Sequence, residues 1–256
     1  MTEAYSLFSG SSGNSTFIRS GNTSILVDAG KNTKSIVKAL SGIGAALEDI
    51  SAILITHAHS DHISALPVLL KKYKGKIFSS FDTFHHLTKA GIDGERIEHF
   101  DFGDMLDIGD IRVIPYPTPH DISGAACYRF ECADKTNIAI ATDIGYVSDK
   151  VFECLYGADA ALIESNHDIK MLKNGPYPRF LKERILSDCG HLSNESCARV
   201  LPRLADGGTR TFVLGHLSFE NNDCVVAKRC AEAALEGTDC TVRVASRTEV
   251  VNICKR

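Results

Sequence analysis

The feature that most constrains this chain is the heptapeptide at residues 56–62, Thr-His-Ala-His-Ser-Asp-His. The β-branched run 53–55 before it is typical of a buried strand, and residues 63–72 after it carry apolar side chains at helical spacing. Three histidines and one aspartate therefore lie on a loop between a strand and a helix, where a rigid scaffold presents chemistry. This order of residues favours a Zn²⁺, Mn²⁺ or Fe²⁺ site over a polar surface loop that is histidine-rich by chance.

The composition is that of an ordinary globular protein, and we expect residues 1–256 to form one domain. A net charge of −4 and a pI near 6.2 argue against a generally basic nucleic-acid binder, but they are compatible with an enzyme that grips a few phosphates. No secretory signal and no apolar run of membrane-spanning length is visible. The lack of a long apolar run predicts no membrane segment. The nine cysteines include no Cys-x-x-Cys pair and predict reduced thiols in a cytoplasmic protein.

The rest of the chain predicts alternating strands and helices, and a polar residue directly follows or ends several of the strands. His57, His120, Asp143, Glu164 and His216 occupy such positions, so we expect them to line one rim of a sheet. Other expectations are antiparallel strands at 96–100, 105–108 and 111–116, an irregular segment at 169–180, a helix starting at Ser193 and a strand near 248–251.

Taken together, these residues resemble the signature of the metallo-β-lactamase-fold hydrolases, in which His-x-His-x-Asp-His is followed by His, Asp and His. The resemblance implies an α/β (α+β) fold, the four-layered αββα sandwich, with the site at the rim of the two sheets. It also implies two divalent ions, Zn²⁺, Mn²⁺ or Fe²⁺, which share a hydroxide that is nucleophilic at neutral pH. By this resemblance one ion is held by His57, His59 and His120. The other ion is held by Asp61, His62 and His216, and Asp143 bridges the two ions.

Two residues outside this ligand set resemble those of ribonuclease Z-type phosphodiesterases. In those enzymes a glutamate supports a histidine that contacts the scissile phosphate, and Glu164 and His191 stand at the matching places in the order of this chain. The resemblance implies that His191 binds the phosphate or protonates the leaving oxygen. Asp61, Glu164 and His191 are therefore the candidate catalytic residues.

The similarity is closest to the YycJ/WalJ-like branch of the superfamily. It is carried by the runs 8–15, 164–168 and 190–194 and by His216-Leu217-Ser218. Members of that branch are bacterial cytosolic proteins, some of them 5′→3′ exonucleases on DNA. The resemblance therefore implies a metal-dependent phosphodiesterase, a 5′→3′ exonuclease on single-stranded or duplex DNA, with DNA favoured over RNA. His167 belongs to the same pattern without an assignable chemical role.

The glycine- and serine-rich segment 9–15 is a candidate anion-binding loop. Its candidate substrate-binding residues, alongside His191, are Ser11, Ser12, Gly13 and Asn14. A plain hairpin turn explains the same composition. The basic runs 71–76 and 179–184 are candidate guides for a nucleic-acid strand, although four lysines in the first run also suit a solvated helix end. Asp28 either hydrogen-bonds a ligand histidine or simply occupies a turn.

Two alternative functions remain open from the sequence. A thioester or lactone hydrolase of the glyoxalase II type shares the metal set, but ester hydrolysis does not need Glu164 or His191. A non-catalytic regulatory metal-binding module predicts that Asp143→Ala leaves the biological activity intact, whereas the complete ligand set argues against it. Neither the metal nor the oligomeric state is indicated by the sequence.

Overall fold

Two seven-stranded sheets form the centre of the computed structural model, which describes residues 1–255. The strands of the first sheet are β1 (Thr2–Phe8), β2 (Ser15–Ser20), β3 (Thr23–Val27), β4 (Ala52–Leu54), β5 (Lys76–Ser80), β6 (Ile97–Phe100) and β14 (Val251–Lys255). Their order across the sheet is β14-β1-β2-β3-β4-β5-β6. The pairs from β3 to β6 are parallel, and the remaining pairs of this sheet are antiparallel.

The second sheet repeats this mixture of parallel and antiparallel pairs. Its strands are β7 (Leu106–Ile108), β8 (Ile111–Pro117), β9 (Ala126–Cys132), β10 (Asn137–Ala141), β11 (Ala160–Glu164), β12 (Thr211–Gly215) and β13 (Thr241–Val244). Their order is β13-β12-β11-β10-β9-β8-β7, and the pairs from β10 to β13 are parallel. Both sheets therefore bring several strand carboxyl ends to one edge.

Helices cover the outer face of each sheet. They are α1 (Thr33–Gly42), α2 (Ser60–Ile63), α3 (Leu66–Leu69), α4 (Phe81–Lys89), α5 (Asp149–Leu155), α6 (Ile169–Asn174), α7 (Arg179–Ile185), α8 (Asn194–Asp206) and α9 (Cys224–Ala234). Short 3₁₀ turns occupy Leu47–Asp49 and Gly94–Arg96. No helix among residues 1–255 is both long and apolar enough to cross a membrane.

The period-two pattern of the strands builds the layers. On β3, Ile25 and Val27 pack between the sheets, whereas Leu26 packs outward with Ile36 of α1. On β12, Phe212 likewise faces outward toward the helices of the second sheet. Because apolar side chains alternate to both faces, each sheet buries one face on its partner and the other under helices. The predicted αββα layering is confirmed.

Several local predictions are wrong for physical reasons. The expected helix at 63–72 is two short helices, because the N–H of Ala65 donates to the carbonyl of Ala29 and Pro67 has no N–H to donate. The segment 169–180 contains α6, whose start is capped by the Asp168 carboxylate accepting from the N–H of Met171 at 2.8 Å. The strand at 97–100 pairs in parallel with β5 and lies in the other sheet from its expected partners.

The remaining local predictions concern the helix start at Ser193 and the last strand. The helix start at Ser193 is confirmed, because its hydroxyl accepts from the N–H of Ser196 at 3.1 Å. The last strand is displaced by a few residues from 248–251 to Val251–Lys255, where it pairs with β1. The thiol of Cys132 is buried, which raises its pKa to about 11 and keeps it protonated at neutral pH.

Candidate active site

The candidate site lies where the parallel strands of both sheets end. His57 and His59 follow β4, Asp143 follows β10, Glu164 ends β11 and His216 follows β12. Residues that are distant in the chain meet there because the carboxyl ends of parallel strands share one edge. The predicted rim of polar residues is therefore formed by both sheets together.

Three residues that directly follow strands have a left-handed backbone, and one of them is Asp28 after β3. The φ angles of Asp28, Asp143 and His216 are 62°, 58° and 55°, and Lys135 is the one other non-glycine residue with positive φ among residues 1–255. Aspartate and histidine tolerate this region better than β-branched residues, but it still strains the chain. Strained positions of this kind concentrate at functional sites, and here each one turns a polar side chain toward the rim.

Three histidines form a first cluster. The Nε2 atoms of His57 and His120 lie 3.1 and 3.3 Å from Nδ1 of His59. Burial lowers the pKa of all three imidazoles, so they are neutral at pH 7. Neutral imidazole is the form that binds metal ions.

A second cluster combines two histidines with two carboxylates. Nε2 of His62 lies 3.2 Å from Oδ2 of Asp143, and Nε2 of His216 lies 3.4 Å from Oδ2 of Asp61. Burial opposes protonation of His62, but the Asp143 and Asp28 carboxylates outweigh it and raise its pKa to about 10. The carboxylates therefore favour a positive charge at this place, which a bound metal ion would supply.

Asp143 connects the two clusters. Its carboxylate oxygens lie 3.2 Å from Nε2 of His62, 3.3 Å from Nδ1 of His216 and 4.0 Å from Nε2 of His120. Although Asp143 is buried, its Oδ2 makes no well-aligned hydrogen bond, even to Nε2 of His62 at 3.2 Å. A buried, unbonded carboxylate oxygen among imidazole nitrogens fits a divalent metal ion, and the imidazole and carboxylate donors suit the same ions.

Asp28 orients the second cluster from behind. Its Oδ2 accepts from Nδ1–H of His62 at 2.7 Å and from the Thr56 hydroxyl at 2.8 Å, while its Oδ1 accepts from the N–H of Thr56 at 2.8 Å. The Thr56 hydroxyl also lies 3.0 Å from Nδ1 of His57. These contacts turn Nε2 of His62 toward the site, so Asp28 orients a histidine of the second cluster instead of merely occupying a turn.

A second supporting carboxylate, Asp121, was missed by sequence reasoning. Its Oδ1 lies 3.4 Å from Nε2 of His59, and its Oδ2 pairs with Arg184 of α7. Asp121 therefore orients His59, and the guanidinium of Arg184 fixes Asp121. The sequence contains one signal for this role of Asp121, namely its position directly after His120 on a proline-rich loop. The partnership with Arg184 spans more than 60 residues of chain and has no local signature.

Glu164 is completely buried and fully hydrogen-bonded. Its Oε1 lies 2.8 Å from Nδ1 of His191 and 2.8 Å from Nδ1 of His216, and its Oε2 accepts from the N–H groups of Ile144 and Leu192 at 2.9 and 3.0 Å. Burial favours the neutral acid, but the two imidazoles outweigh burial and hold the pKa of Glu164 at about 2. The carboxylate is therefore ionised and joins His191 to the cluster.

His191 stands at the mouth of the site. About 20% of its side chain is exposed, and its ring centroid lies 5.4 Å from that of His120 and 5.1 Å from that of His216. Burial lowers the pKa of His191, but Glu164 more than compensates and raises it above the ordinary value. Because Nδ1 is engaged by Glu164, Nε2 is left for a bound molecule.

The glycine- and serine-rich loop folds against the histidine loop. The Asn14 amide Nδ2 lies 3.2 Å from Oδ2 of Asp61, and the backbone N–H of Asn14 donates to the Asp61 carbonyl at 2.7 Å. Asn14 is buried, so its side chain positions Asp61 and does not face solvent, whereas Ser11 and Ser12 are exposed. Gly13 has a φ of 139°, and a Cβ there would lie 2.6 Å from the Gly30 carbonyl.

The remaining candidates are not among the clustered side chains. His167 is completely buried, and neither of its ring nitrogens has a hydrogen-bond partner. Its backbone pairs with Ser193 and accepts from the N–H of Asn194 at 2.9 Å, which anchors the segment that carries His191. In the two basic runs, Lys76 pairs with Glu98 at 3.1 Å and Arg179 pairs with Glu183 at 2.6 Å.

Comparison with known families agrees with this geometry. A family model described as the β-lactamase superfamily domain matches residues 23–217, which include all of the clustered residues. This chain belongs to the β-lactamase superfamily. Within the superfamily it is 41% identical over 220 residues to exodeoxyribonuclease WalJ of Streptococcus pneumoniae, covering 84% of this chain and 81% of that protein. It is 36% identical over 233 residues to exodeoxyribonuclease YycJ of Bacillus anthracis, covering 90% and 88%.

A solved structure shares the architecture of most of this chain. The metallo-β-lactamase-fold protein YhfI of Bacillus subtilis superimposes with a TM-score of 0.74 over 98% of this chain and 99% of its own, at 16% sequence identity. That likeness concerns the fold. The superfamily and the side-chain clusters together indicate a hydrolase that binds divalent metal ions.

Proposed function

We propose that this protein is a metal-dependent exodeoxyribonuclease that hydrolyses phosphodiester bonds of DNA. The hydrogen bond of 2.8 Å between Glu164 and His191, beside the metal-binding clusters, is the observation that carries the proposal. It supplies a partly exposed imidazole at the place where a phosphodiester would meet the metals. The relatives named as exodeoxyribonucleases support DNA over RNA as the substrate, and the 5′→3′ direction of digestion is part of the proposal.

The metal site proposed here has two ions. His57, His59 and His120 would hold one, Asp61, His62 and His216 the other, and Asp143 would lie between them. When bound, such ions supply a Lewis acid and activate water at neutral pH. Because both sheets contribute ligands, we propose that residues 1–256 act as one domain. The site needs no disulfide, which suits a cytoplasmic location.

The residues around the metals orient the substrate and move a proton. Nε2 of His191 faces the phosphate and, in its protonated form, gives its proton to the leaving oxygen. Glu164 keeps the imidazolium stable and fixes the ring by accepting its Nδ1–H. The exposed hydroxyls of Ser11 and Ser12 offer contacts to a phosphate, whereas Gly13 is buried and its N–H donates to the Gly10 carbonyl at 2.9 Å, and Asn14 holds Asp61 in place.

The test uses single-stranded and duplex oligonucleotides of DNA and RNA, labelled at either end, with Mn²⁺ or Zn²⁺. We expect metal-dependent release of labelled mononucleotide from the 5′ end of DNA. The Asp143→Asn variant should lose this activity, and His191→Ala should reduce it by roughly 10²–10⁴-fold, the usual contribution of a general acid. His85→Ala, which removes an exposed histidine of α4, is the matched control and should cleave like wild type.

Absence of cleavage of every oligonucleotide would contradict the proposal. Rapid hydrolysis of a thioester or lactone, unaffected by His191→Ala, would replace it with an esterase of the glyoxalase II type. Retention of activity by Asp143→Asn would contradict the assignment of Asp143 between the metals.

A further inference from the structure

A cleft of about 390 Å³ adjoins the candidate active site and has no place in the functions assigned so far. It lies between the end of β1, helix α1 and the segment before β14. Its volume falls within the range of small-molecule sites. The side chains that shape it are apolar walls and three cations, namely Phe8, Ile43, Val250, Lys31, Lys38 and Arg247.

Two of the cations connect the cleft to the site. Nζ of Lys31 donates to the hydroxyl and carbonyl oxygens of Ser12 at 3.1 and 3.3 Å, on the glycine- and serine-rich loop. The guanidinium of Arg247 donates at 3.2 Å to the carbonyl of Leu217, the residue after the ligand His216. On one side the cleft therefore borders Leu217, the next residue in the chain after His216. On the other side it borders the glycine- and serine-rich loop.

The positive charge of the cleft is not neutralised within the protein. Among residues 1–255, Lys31, Lys38 and Arg247 form no salt bridge with a carboxylate, and no acidic side chain lines the cleft. The chain as a whole carries a net charge of −4, so this group of cations is a local exception. Clustered cations in a concave surface attract phosphates even when the protein is acidic overall.

An exposed aromatic ring completes this surface. Phe219 is 72% exposed, and the guanidinium of Arg247 stacks 4.5 Å from its ring centroid. A cation next to an exposed aromatic face is the arrangement by which proteins hold single-stranded nucleic acids, with charge for the backbone and stacking for a base. Leaving such a ring exposed has no packing benefit, because large apolar side chains gain stability from burial.

We propose that the cleft binds the DNA strand next to the scissile bond, with a backbone phosphate on Lys31, Lys38 and Arg247 and the neighbouring base on Phe219. This inference rests on the proposed nuclease function and names where its substrate extends beyond the metals. It explains how a chain without a basic surface overall retains a strand between cuts. Because the contact is to the phosphate backbone, the affinity of the cleft for single-stranded DNA should depend on salt and should not depend on the base sequence.

The experiment measures binding separately from cleavage. A fluorescent single-stranded oligonucleotide with phosphorothioate linkages is titrated into the metal-loaded protein, and anisotropy gives the Kd at several salt concentrations. We expect Lys38→Glu to weaken binding by about tenfold and to reduce the slope of log K against log salt by about 0.7 or more, since each phosphate contact to a single strand contributes about that much. Phe219→Ala should weaken binding at every salt concentration with the slope unchanged.

Lys89→Glu is the matched control, because Lys89 is an exposed lysine of α4 outside the cleft and the charge change is the same. Its Kd and slope should equal those of wild type. If Lys38→Glu and Phe219→Ala bind like wild type, the inference is wrong, whether or not the protein cleaves DNA. If a deoxynucleoside monophosphate displaces the labelled oligonucleotide as strongly as an unlabelled oligonucleotide does at equal concentration, the cleft binds a free nucleotide. That outcome would overturn the proposal that it binds a DNA strand.

The two proposals fail separately. Wild-type protein that binds the oligonucleotide through Lys38 and Phe219 but cleaves no DNA would contradict the nuclease function and support the cleft as a DNA-binding site. Efficient DNA cleavage, with the same KM in Lys38→Glu as in wild type, would support the nuclease and contradict the cleft.

Discussion

Replacing Glu164 with glutamine tests the most highly connected side chain of the site. One carboxylate accepts from two imidazoles and two backbone N–H groups, and all four contacts are 2.8–3.0 Å long. A glutamine presents one oxygen and one NH₂ group, so two of the four donors lose their acceptor whichever way the amide faces. A hydrogen bond to a charged group contributes about 1.5–3 kcal/mol, so the variant should lose about 3–6 kcal/mol of unfolding free energy at pH 7.

The loss should depend on pH in a defined direction. The pKa of Glu164 falls from an ordinary value of 4.5 to about 2 in the folded protein. A group whose pKa is depressed by folding contributes stability above its unfolded pKa, and this contribution is lost as the pH falls through its folded pKa. The difference in stability between wild type and Glu164→Gln should therefore be full above about pH 5 and should shrink between pH 4.5 and pH 2.

Urea unfolding of chelator-treated wild type and Glu164→Gln, followed by circular dichroism from pH 7 to pH 3, measures both effects. Glu153→Gln is the control, because Glu153 is 54% exposed and paired with Lys150 at 2.8 Å on the surface of α5. That variant should lose no more than about 1 kcal/mol. A Glu164→Gln loss below about 1 kcal/mol, or a loss that stays constant from pH 7 to pH 3, would refute the reasoning from its four contacts.

Three further perturbations follow from the same geometry. Gly30→Ala places a Cβ 1.6 Å from the Asp61 carbonyl, so we expect loss of bound metal, measured by atomic absorption, and at least about a 100-fold fall in nuclease rate. Gly42→Ala is the control, because a Cβ there has nothing within 4 Å. Full metal content in Gly30→Ala would contradict this prediction. Tyr128→Phe removes a buried hydroxyl that donates to the Ile55 carbonyl at 2.6 Å, so the unfolding free energy measured in urea should fall by about 1–3 kcal/mol. A change under about 0.3 kcal/mol would contradict this prediction. Chelation should lower the melting temperature, and metal added back should raise it with increasing concentration; equal melting temperatures with and without metal would exclude a resident ion.

The layering of the fold could be predicted only through the resemblance to the metallo-β-lactamase-fold hydrolases. The apolar runs of β3 and β12 indicate by themselves no more than strands that are buried on both faces. The partner of a strand has no such signal. Residues 97–100 read correctly as a strand, but nothing local indicates that it joins β5 in parallel and not the next strand of the chain.

The candidate ligands could be predicted from local signals in the sequence. His57, Asp143 and His216 each follow an apolar strand, and the order of residue types narrows the chemistry to a metal site. Their supports could not be predicted, because these are tertiary contacts. Asp121 meets His59 and Arg184 only when the loop after β8 folds onto α7. The same is true of the cleft, which the chain assembles from three separate segments.

The left-handed strand ends explain why the supports are as extensive as they are. A non-glycine residue in this conformation costs about 1–3 kcal/mol, and such a residue persists only where its surroundings hold it. The N–H of His216 donates to the Ser9 hydroxyl at 2.7 Å, and the N–H of Asp28 donates to the Leu54 carbonyl at 2.8 Å. Beyond Asp143, the N–H of Ile144 is bound by Glu164. Glu164 therefore stabilises the strained turn at Asp143 with one oxygen and orients His191 with the other, so the stability of the fold and the geometry of the candidate site depend on the same buried carboxylate.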